Sequence, residues 1–280
     1  MCVRISKQQK QEFERYLLRE ERSPATVNKY LHDVGLLEQF LAGREASKEN
    51  VLLWKEEISA QYAVASVNSM LAAVNRFLEF TGSAQCRVKP LKTQATVFRP
   101  ECRDLTREDY IKLLTEAEKK TNRRLYLMMQ CICATGIRIS ELRCITLEAV
   151  ICGRAEIRGK GKHRTILLPA RLCAMLKEYA QQNRICSGAV FVTRNGRPVD
   201  RSNVWKEMKR LCEAADVVAD KVYPHNLRHL FAQTFYQMQK DIVRLADVLG
   251  HSSINTTRIY TIDSGQEHQR QLDQMNLLIG

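Results

Sequence analysis

Apolar residues recur at three- and four-residue steps from Ile5 to Thr81, which is the spacing of amphipathic helices. The clearest case lies between Ser23 and Gly43. Ser23 is suited to cap the start of a helix, Pro24 fits its first turn, and Gly43 follows its end. The apolar positions of this helix are Val27, Tyr30, Leu31, Val34, Leu37, Phe40 and Leu41. The pattern over the whole stretch predicts three or four helices.

The periodicity stops after this stretch. The segment SAQCRVKPLKTQATVFRPEC has no sustained period, two prolines and several basic residues, which is typical of a linker. We therefore predict a helical N-terminal domain over residues 1–84, a linker over residues 85–101 and a second domain over residues 102–280. A chain of 280 residues is long enough for two such domains.

The second part of the chain predicts more helices and one β-hairpin. Thr106 and Asp109 stand at the two positions of a capping box, and a strongly apolar helix follows and ends at Gly136. The segment AEIRGKGKHRTILLP predicts a hairpin with a Gly-Lys-Gly turn, and AVFVT predicts a short strand. Further helices are expected at ARLCAMLKEYAQQNR, RSNVWKEMKRLCEAA, HNLRHLFAQTFYQMQ, DIVRLADVLG, INTTRIYT and the C-terminal GQEHQRQLDQMNLLIG. The predicted fold class is mainly α with a small β-sheet (α+β).

The formal charge of +13 is unevenly distributed along the chain. Residues 1–98 carry 14 lysines and arginines against 11 aspartates and glutamates, whereas residues 99–280 carry 30 against 20. A basic excess concentrated in one part favours a polyanionic partner, with nucleic acid ahead of a membrane surface. Because many basic proteins bind no specific polyanion, the charge alone does not decide the partner.

The cysteines and the apolar runs indicate the compartment. The ten cysteines are scattered, and no pair has the Cys-x-x-Cys spacing of a structural zinc module. The N-terminal sequence MCVRISKQQK lacks the pattern of a secretory signal. The longest apolar run, near LYLMMQCICA, is too short to cross a bilayer. We therefore expect reduced thiols, a cytoplasmic protein and no membrane partner.

The segment PHNLRHLFA places two histidines four residues apart, the spacing by which a helix can offer two ligands to zinc. A catalytic zinc helix needs a glutamate after the first histidine, but Asn226 follows His225. Arg228 would also bring a permanent cation to the same face. A phosphate site fits better, because His225 and Arg228 share one helical face and a guanidinium pairs well with phosphate oxygens. His229 then points partly away and is free for a structural role.

Three further segments carry residues suited to phosphate chemistry. In ATGIRISELRCITL, Arg138 stands at the start of a helix, where it can enter a cleft, and Glu141 can orient it from the side. In LGHSSINTTRIYT, Tyr260 offers a phenol that neighbouring cations would activate toward phosphorus. In the hairpin, a lysine beside glycines can protonate a leaving oxygen. Taken alone, each of these residues also fits an ordinary surface or packing role.

Four segments in this order and at these separations, ATGIRISEL, RGKGKHR, HNLRH and LGHSSINTTRIY, resemble the tyrosine recombinase or phage integrase family, especially its compact Xer-like and transposon integrases. The joint match over roughly residues 100–265 makes the resemblance specific. The helical N-terminal part is similar in position and size to the core-DNA-binding domain of that family. The resemblance thus implies a helical DNA-binding domain followed by a mixed catalytic domain of tyrosine recombinase type.

The resemblance implies a covalent reaction at a DNA phosphate. Tyr260 would be the nucleophile, and Arg138 and Arg228 would hold the scissile phosphate. Glu141 would support Arg138 from behind. The product would be a 3′-phosphotyrosyl link and a free 5′-hydroxyl, and a 5′-hydroxyl from a partner strand would then reverse the step.

Proton transfer in this reaction would fall to the remaining site residues. The resemblance makes Lys160 the general acid, while His225 and His251 would hydrogen-bond or shuttle protons at the phosphate. The hairpin is one residue shorter than the family's usual Gly-Lys-Gly-x-Lys-x-Arg. Lys162 is therefore an alternative to Lys160.

The implied partners are double-stranded DNA and further copies of the chain, as a homo-tetramer on paired DNA sites. No metal or other cofactor is expected. The apolar end of the C-terminal helix, LDQMNLLIG, could dock on a neighbouring copy or on its own domain. Two other functions use similar residues, namely DNA relaxation of the type IB topoisomerase kind and DNA-binding regulation without catalysis.

Overall fold

The computed structural model describes residues 4–92, 104–159, 162–193, 195–260, 270 and 272–275. The chain divides into two compact units, residues 1–95 and 96–280. Helices dominate both, and one two-stranded antiparallel sheet lies in the second, which confirms the predicted fold class. Within the described part of the chain, no helix combines the length and the apolar character that crossing a bilayer requires.

The first unit is helical, as the periodicity predicts. Its helices are α1 (Lys7–Arg19), α2 (Pro24–Leu41), α3 (Lys48–Gln61) and α4 (Val64–Phe80). The first three begin at Ser6, Ser23 and Ser47, and each serine side chain accepts a hydrogen bond from a backbone N–H of the first turn. Pro24 lies in the first turn of α2, and Gly43 follows its end with a φ of +85°.

The core of the first unit is built around α4, which packs mainly against α2. Phe13 of α1 and Phe77 of α4 meet edge to face, with ring centres 5.2 Å apart. Trp54 of α3 is buried in a neighbouring apolar cluster together with Leu71 of α4. The apolar face of each amphipathic helix is therefore used within the unit.

The first part of the predicted linker is bound to this unit. Cys86 and Val88 are buried. The side chain of Asn75 makes two hydrogen bonds with the backbone of Val88, at 2.8 and 3.0 Å, and Asn68 does the same for Leu91, at 3.0 and 2.7 Å. Two asparagines of α4 thus fix the segment that follows this helix.

The second unit contains eight of the described α-helices and the hairpin. Its helices are α5 (Arg107–Lys119), α6 (Arg123–Thr135), α7 (Leu147–Cys152), α8 (Ala170–Gln182), α9 (Arg201–Ala215), α10 (Pro224–Gln239), α11 (Ile242–Leu249) and α12 (Ile254–Arg258). Short 3-10 helices cover Ile139–Cys144 and Ala219–Lys221. Thr106 and Asp109 form the predicted capping box, and Gly136 ends α6 with a φ of +63°.

Helix α6 lies at the centre of the second unit and packs against α5, α8 and α10. A helix that is apolar around most of its circumference must be buried on several sides. The buried side chains of α6 are Leu125, Leu127, Met128, Met129, Cys131, Ile132 and Thr135. The ends of α6 are consequently fixed, and the site described below begins at its C-terminus.

The predicted hairpin is present. Strands β1 (Arg154–Gly159) and β2 (Lys162–Leu167) are antiparallel, with Arg154 opposite Leu167 and Gly159 opposite Lys162. Two residues of its turn, Lys160 and Gly161, lie outside the described residues.

The prediction of a strand at AVFVT is wrong. Ala189 forms an isolated bridge with Thr146, and Val192 forms another with Pro198. Because these partners come from different segments, the described residues build no continuous ladder here. Most of the predicted C-terminal helix lies outside the described residues.

A Gly136→Ala variant tests the packing at the end of α6. An added methyl group would lie 2.5 Å from Cδ1 of Phe231 and 3.0 Å from Cδ2 of Leu249, on a backbone with a φ of +63°. We expect the free energy of unfolding to fall by roughly 2–5 kcal/mol, because left-handed strain and overpacking add. Urea unfolding followed by circular dichroism measures the loss.

Gly153→Ala is the matched control. Gly153 also ends a helix with a positive φ, of +71°, but no described atom lies within 4 Å of an added methyl group. This variant should lose about 1–2 kcal/mol, from backbone strain alone. Equal losses in the two variants would contradict the close packing at Gly136.

Candidate active site

Arg138 lies just after α6, at the start of the 3-10 helix Ile139–Cys144. Its backbone N–H and its Nη1 both donate to the carboxylate of Glu141, at 2.9 and 3.0 Å. The side chain of Arg138 is 40% exposed, and that of Glu141 is 15% exposed. Glu141 therefore orients Arg138 from the protein side, as the spacing predicts, and leaves part of the guanidinium open to solvent.

Glu141 stays ionised in this position. Burial raises the pKa of its carboxyl group, but the hydrogen bonds from Arg138 and the charge of Arg164 outweigh burial, so that the pKa lies below its ordinary value. A carboxylate held by two guanidinium groups is a stable anchor for both.

Arg228, in the second turn of α10, is buried with 2% exposure. It donates to the carbonyl oxygens of Gly136 and Leu249, the latter at 2.8 Å, and its Nη2 lies 3.0 Å from Nε2 of His251. Burial and then the charge of Arg138 lower the pKa of Arg228 to about 10, although the nearby Tyr260 hydroxyl opposes this effect. The guanidinium is therefore still charged at neutral pH.

His251 follows Gly250, the residue that ends α11. Its Nε2 faces Arg228, which can only donate, so Nε2 accepts this hydrogen bond. Nδ1 then carries the proton and donates to the hydroxyl of Thr257 at 2.8 Å. Burial, followed by the charges of Arg228 and Arg138, lowers the pKa of His251 to about 4. The imidazole is thus neutral at pH 7.

Tyr260 lies just after α12 and is buried, with 3% exposure. Its backbone N–H donates to the carbonyl oxygen of Thr257 at 2.9 Å. Its ring stacks on that of His251 at a centroid distance of 5.9 Å and an interplanar angle of 14°. The hydroxyl interacts with Arg228 and stabilises its charged form. The structure therefore brings Tyr260, Arg228 and His251 together.

The two histidines of α10 take different positions. His225 lies in the first turn, is exposed, and has its ring 6.3 Å from that of Tyr260. His229 lies one turn later, is 3% exposed, and meets the Tyr260 ring edge-on at 4.8 Å. The sequence predicts that His229 points partly away, but the structure packs it against Tyr260, because Tyr260 lies along this side of α10. Nδ1 of His229 lies 4.0 Å from the carboxylate of Asp104.

Zinc coordination is the alternative role that the spacing of these two histidines allows. Across the parts of the chain that are described, no group of three or more histidine, cysteine and acidic side chains is placed to hold a metal ion. The side chain between them in the helix, Arg228, is instead engaged with backbone carbonyls.

Two residues that the sequence motifs do not indicate also contact the site. Thr257 orients His251, and Arg164 of β2 donates to Glu141 and to the carbonyl oxygen of Leu249. Strand alternation was an available signal for Arg164, because it shares a face of β2 with the buried Ile166. The sequence carried no such signal for Thr257.

The predicted general acid, Lys160, lies outside the described residues, and its alternative, Lys162, is the first residue of β2. Arg164 follows two residues later and is hydrogen-bonded into the site. The hairpin is therefore attached to the site close to its turn.

The arrangement is suited to binding an anion next to a phenol. Arg138 and Arg164 share the carboxylate of Glu141, and Arg228 lies close enough to be affected by the charges of both arginines, so the cluster has net positive charge. Such a field in a partly desolvated site stabilises negative charge that develops on a phosphate during reaction.

The sequence matches two known families of domains. Residues 103–267 match the phage integrase family, and residues 11–85 match the N-terminal SAM-like domain of phage integrases. The chain is 29% identical over 277 residues to the tyrosine recombinase XerA of Pyrococcus furiosus, covering 96% of this chain and 94% of that protein. It is 30% identical over 279 residues to the tyrosine recombinase XerA of Thermococcus kodakarensis, with 96% and 95% covered.

Solved structures share the fold. A crystal structure of XerA recombinase aligns with 97% of this chain and 99% of its own, with a TM-score of 0.54 and 20% identity. A crystal structure of a lambda integrase dimer bound to a COC′ core site aligns over 93% and 95%, with a TM-score of 0.71 and 15% identity. With both of its parts matched, the chain belongs to the phage integrase family of tyrosine recombinases.

Proposed function

We propose that this chain is a site-specific DNA recombinase that cuts and rejoins DNA strands through a 3′-phosphotyrosyl intermediate. The observation that carries the proposal is the convergence of Tyr260, Arg228 and a neutral His251. The Tyr260 and His251 rings stack with centres 5.9 Å apart, and Nη2 of Arg228 lies 3.0 Å from Nε2 of His251. Family membership supports the same reaction. The structural neighbours include XerH recombinase bound to its difH substrate in a pre-cleavage complex and to palindromic difH in a post-cleavage complex.

In the proposed first step, the proton of Tyr260 passes to a histidine of the site, His251 or His225, and the tyrosine oxygen bonds to the scissile phosphorus. The bond from phosphorus to the 5′ oxygen breaks, and this oxygen takes a proton from Lys160, with Lys162 as the alternative donor. A 5′-hydroxyl from a partner strand then attacks the phosphotyrosine and restores both the DNA backbone and the tyrosine. One phosphodiester is exchanged for another, so the reaction needs no nucleotide.

The charge of the pentavalent phosphorus is stabilised by the arginines in this proposal. Arg138 reaches the phosphate through its exposed guanidinium edge, and Arg228 through the edge that faces His251 and Tyr260. His225 and His251 hydrogen-bond to the remaining oxygens. Fixed guanidinium groups supply the electrostatic stabilisation that many phosphoryl-transfer enzymes draw from Mg²⁺.

DNA binding is divided between the two parts of the chain. We propose that residues 1–84 form a helical DNA-binding domain, residues 85–101 a linker, and residues 102–280 the catalytic domain. The basic excess of residues 99–280 supports contacts with DNA phosphates, and affinity that rests on such contacts falls steeply with added salt.

Recombination joins two DNA sites, so we propose that four copies of the chain act together on paired sites in the cytoplasm. A lambda integrase tetramer bound to a Holliday junction is among the structural neighbours, which supports this assembly. Exchange of strands between two sites also separates a recombinase from a topoisomerase, which relaxes one DNA molecule.

A Tyr260→Phe variant should form no covalent complex with a nicked recombination site, because it lacks the attacking oxygen. DNA affinity should change little, since the phenol is buried in the free protein. Trapping on a suicide DNA substrate followed by denaturing gel electrophoresis measures the covalent product. Tyr236→Phe, on a half-buried tyrosine of α10, is the matched control and should trap DNA normally. Covalent complex in the Tyr260→Phe variant would rule out this nucleophile.

A DNA substrate whose leaving group needs no proton identifies the general acid. Replacing the bridging 5′ oxygen of the substrate by sulfur gives a thiolate, which leaves without a proton. We expect Lys160→Ala to cleave ordinary DNA about 10²- to 10⁴-fold more slowly and the sulfur substrate at nearly the normal rate. Lys162→Ala is the control. Sulfur rescue of Lys162→Ala instead would assign the proton to that residue.

DNA binding should take up a proton through His251. A bound phosphate raises the pKa of this imidazole from about 4 toward its ordinary value, because the negative charge favours the imidazolium. Between these two pKa values the complex holds more protons than the free protein, so affinity rises as the pH falls. Fluorescence anisotropy titrations across this pH range should give a steeper pH dependence for wild type than for His251→Gln. Identical slopes would contradict the proton uptake.

A further inference from the structure

Arg164 lies between the two guanidinium groups that the proposed function assigns to the phosphate. It projects from β2 with a side chain that is 14% exposed. Its Nη2 donates to the carboxylate of Glu141, and its Nη1 donates to the carbonyl oxygen of Leu249 and, at 3.4 Å, to that of Val248. The two arms of one guanidinium thus reach two segments that are distant in sequence.

Each arm ends on an acceptor that is shared with a phosphate-binding arginine. The carboxylate of Glu141 accepts hydrogen bonds from both Arg164 and Arg138. The carbonyl oxygen of Leu249 accepts from both Arg164 and Arg228. Arg164 therefore shares one hydrogen-bond acceptor with Arg138 and another with Arg228.

The end of α11 is shaped to accommodate this side chain. A Cβ atom at Gly250 would lie 2.8 Å from Nη1 of Arg164 and would overlap its Cδ. Gly250 also has a φ of +64°, which glycine adopts without strain. The stem of Arg164 consequently lies directly against the turn that leads into His251.

The sharing of Glu141 also has an electrostatic effect. With two guanidinium groups on one carboxylate, part of the charge of Arg138 is left for an incoming phosphate. Without Arg164, the carboxylate would pair with Arg138 alone and would neutralise more of the positive charge of that guanidinium. The fork of a guanidinium is required for the double contact, because an ammonium presents a single point charge.

We propose that Arg164 is a positioning residue for DNA cleavage, which sets the spacing between Arg138 and Arg228 by bridging Glu141 and the Leu249 carbonyl. This inference rests on the proposed function. The inference goes beyond the proposed function because it assigns a role in the reaction to a residue of the hairpin that does not itself contact the phosphate.

The test separates DNA binding from cleavage in full-length variants. We expect Arg164→Met to form the covalent complex about 10²-fold more slowly at saturating DNA, since a displacement near 1 Å of catalytic groups has such an effect. The DNA concentration at half-saturation should be nearly unchanged. Arg164→Lys should not restore the rate, because lysine cannot bridge the two acceptors. Arg154→Met, which removes an exposed arginine from the same hairpin, is the control and should cleave normally.

A second variant displaces Arg164 without changing any charge. We expect Gly250→Ala to slow cleavage in the wild-type background, because its methyl group meets the Arg164 side chain. In the Arg164→Met background the same change should have a much smaller effect. The backbone strain at Gly250 is present in both backgrounds and cancels in this double-mutant cycle. Strictly additive effects would overturn the positioning role.

The outcomes distinguish the two proposals. If the wild-type chain forms no covalent complex with DNA, the proposed function fails. If wild type does so and Arg164→Met is equally fast, or loses binding and cleavage in parallel, then the positioning role alone fails. Thermal unfolding monitors the fold of each variant, and Arg164→Lys replaces Arg164→Met in the comparison and in the Gly250→Ala cycle if Arg164→Met does not fold.

Discussion

The burial of one guanidinium group organises the second unit. A buried cation needs acceptors for its N–H groups, and Arg228 finds them in backbone carbonyls of Gly136 and Leu249. Both carbonyls stand at helix C-termini, where the last carbonyl groups have no partner within the helix and carry partial negative charge. The C-terminal ends of α6 and α11 must therefore both lie against α10. This requirement determines where the chain turns after each of these two helices.

The same turns deliver the polar side chains of the site. Gly136 and Gly250 end their helices with positive φ, and the chain leaves each of them in a new direction. Arg138 follows two residues after the first turn, and His251 directly follows the second. The same two turns thus supply the carbonyl acceptors of the buried arginine and two of the side chains around it. The stability of this core and the geometry of the site therefore have a common origin.

Local patterns in the sequence predicted most of the fold. Serine and threonine caps, Gly136 and the apolar periodicity fixed the helices because these signals act within one or two turns. The strand at AVFVT was wrong since its partners depend on tertiary contacts. Of the site, the motifs located Arg138, Arg228, His251 and Tyr260, whereas Thr257 and the packing of His229 depend on which helix faces come together.

Thr257 has two functions at once. Its hydroxyl accepts the hydrogen bond that sets the tautomer of His251, while its carbonyl oxygen holds the backbone of Tyr260. Any displacement of Thr257 would therefore loosen both contacts together. The placement of Tyr260, the proposed nucleophile, and the tautomer of His251 thus depend on one and the same threonine.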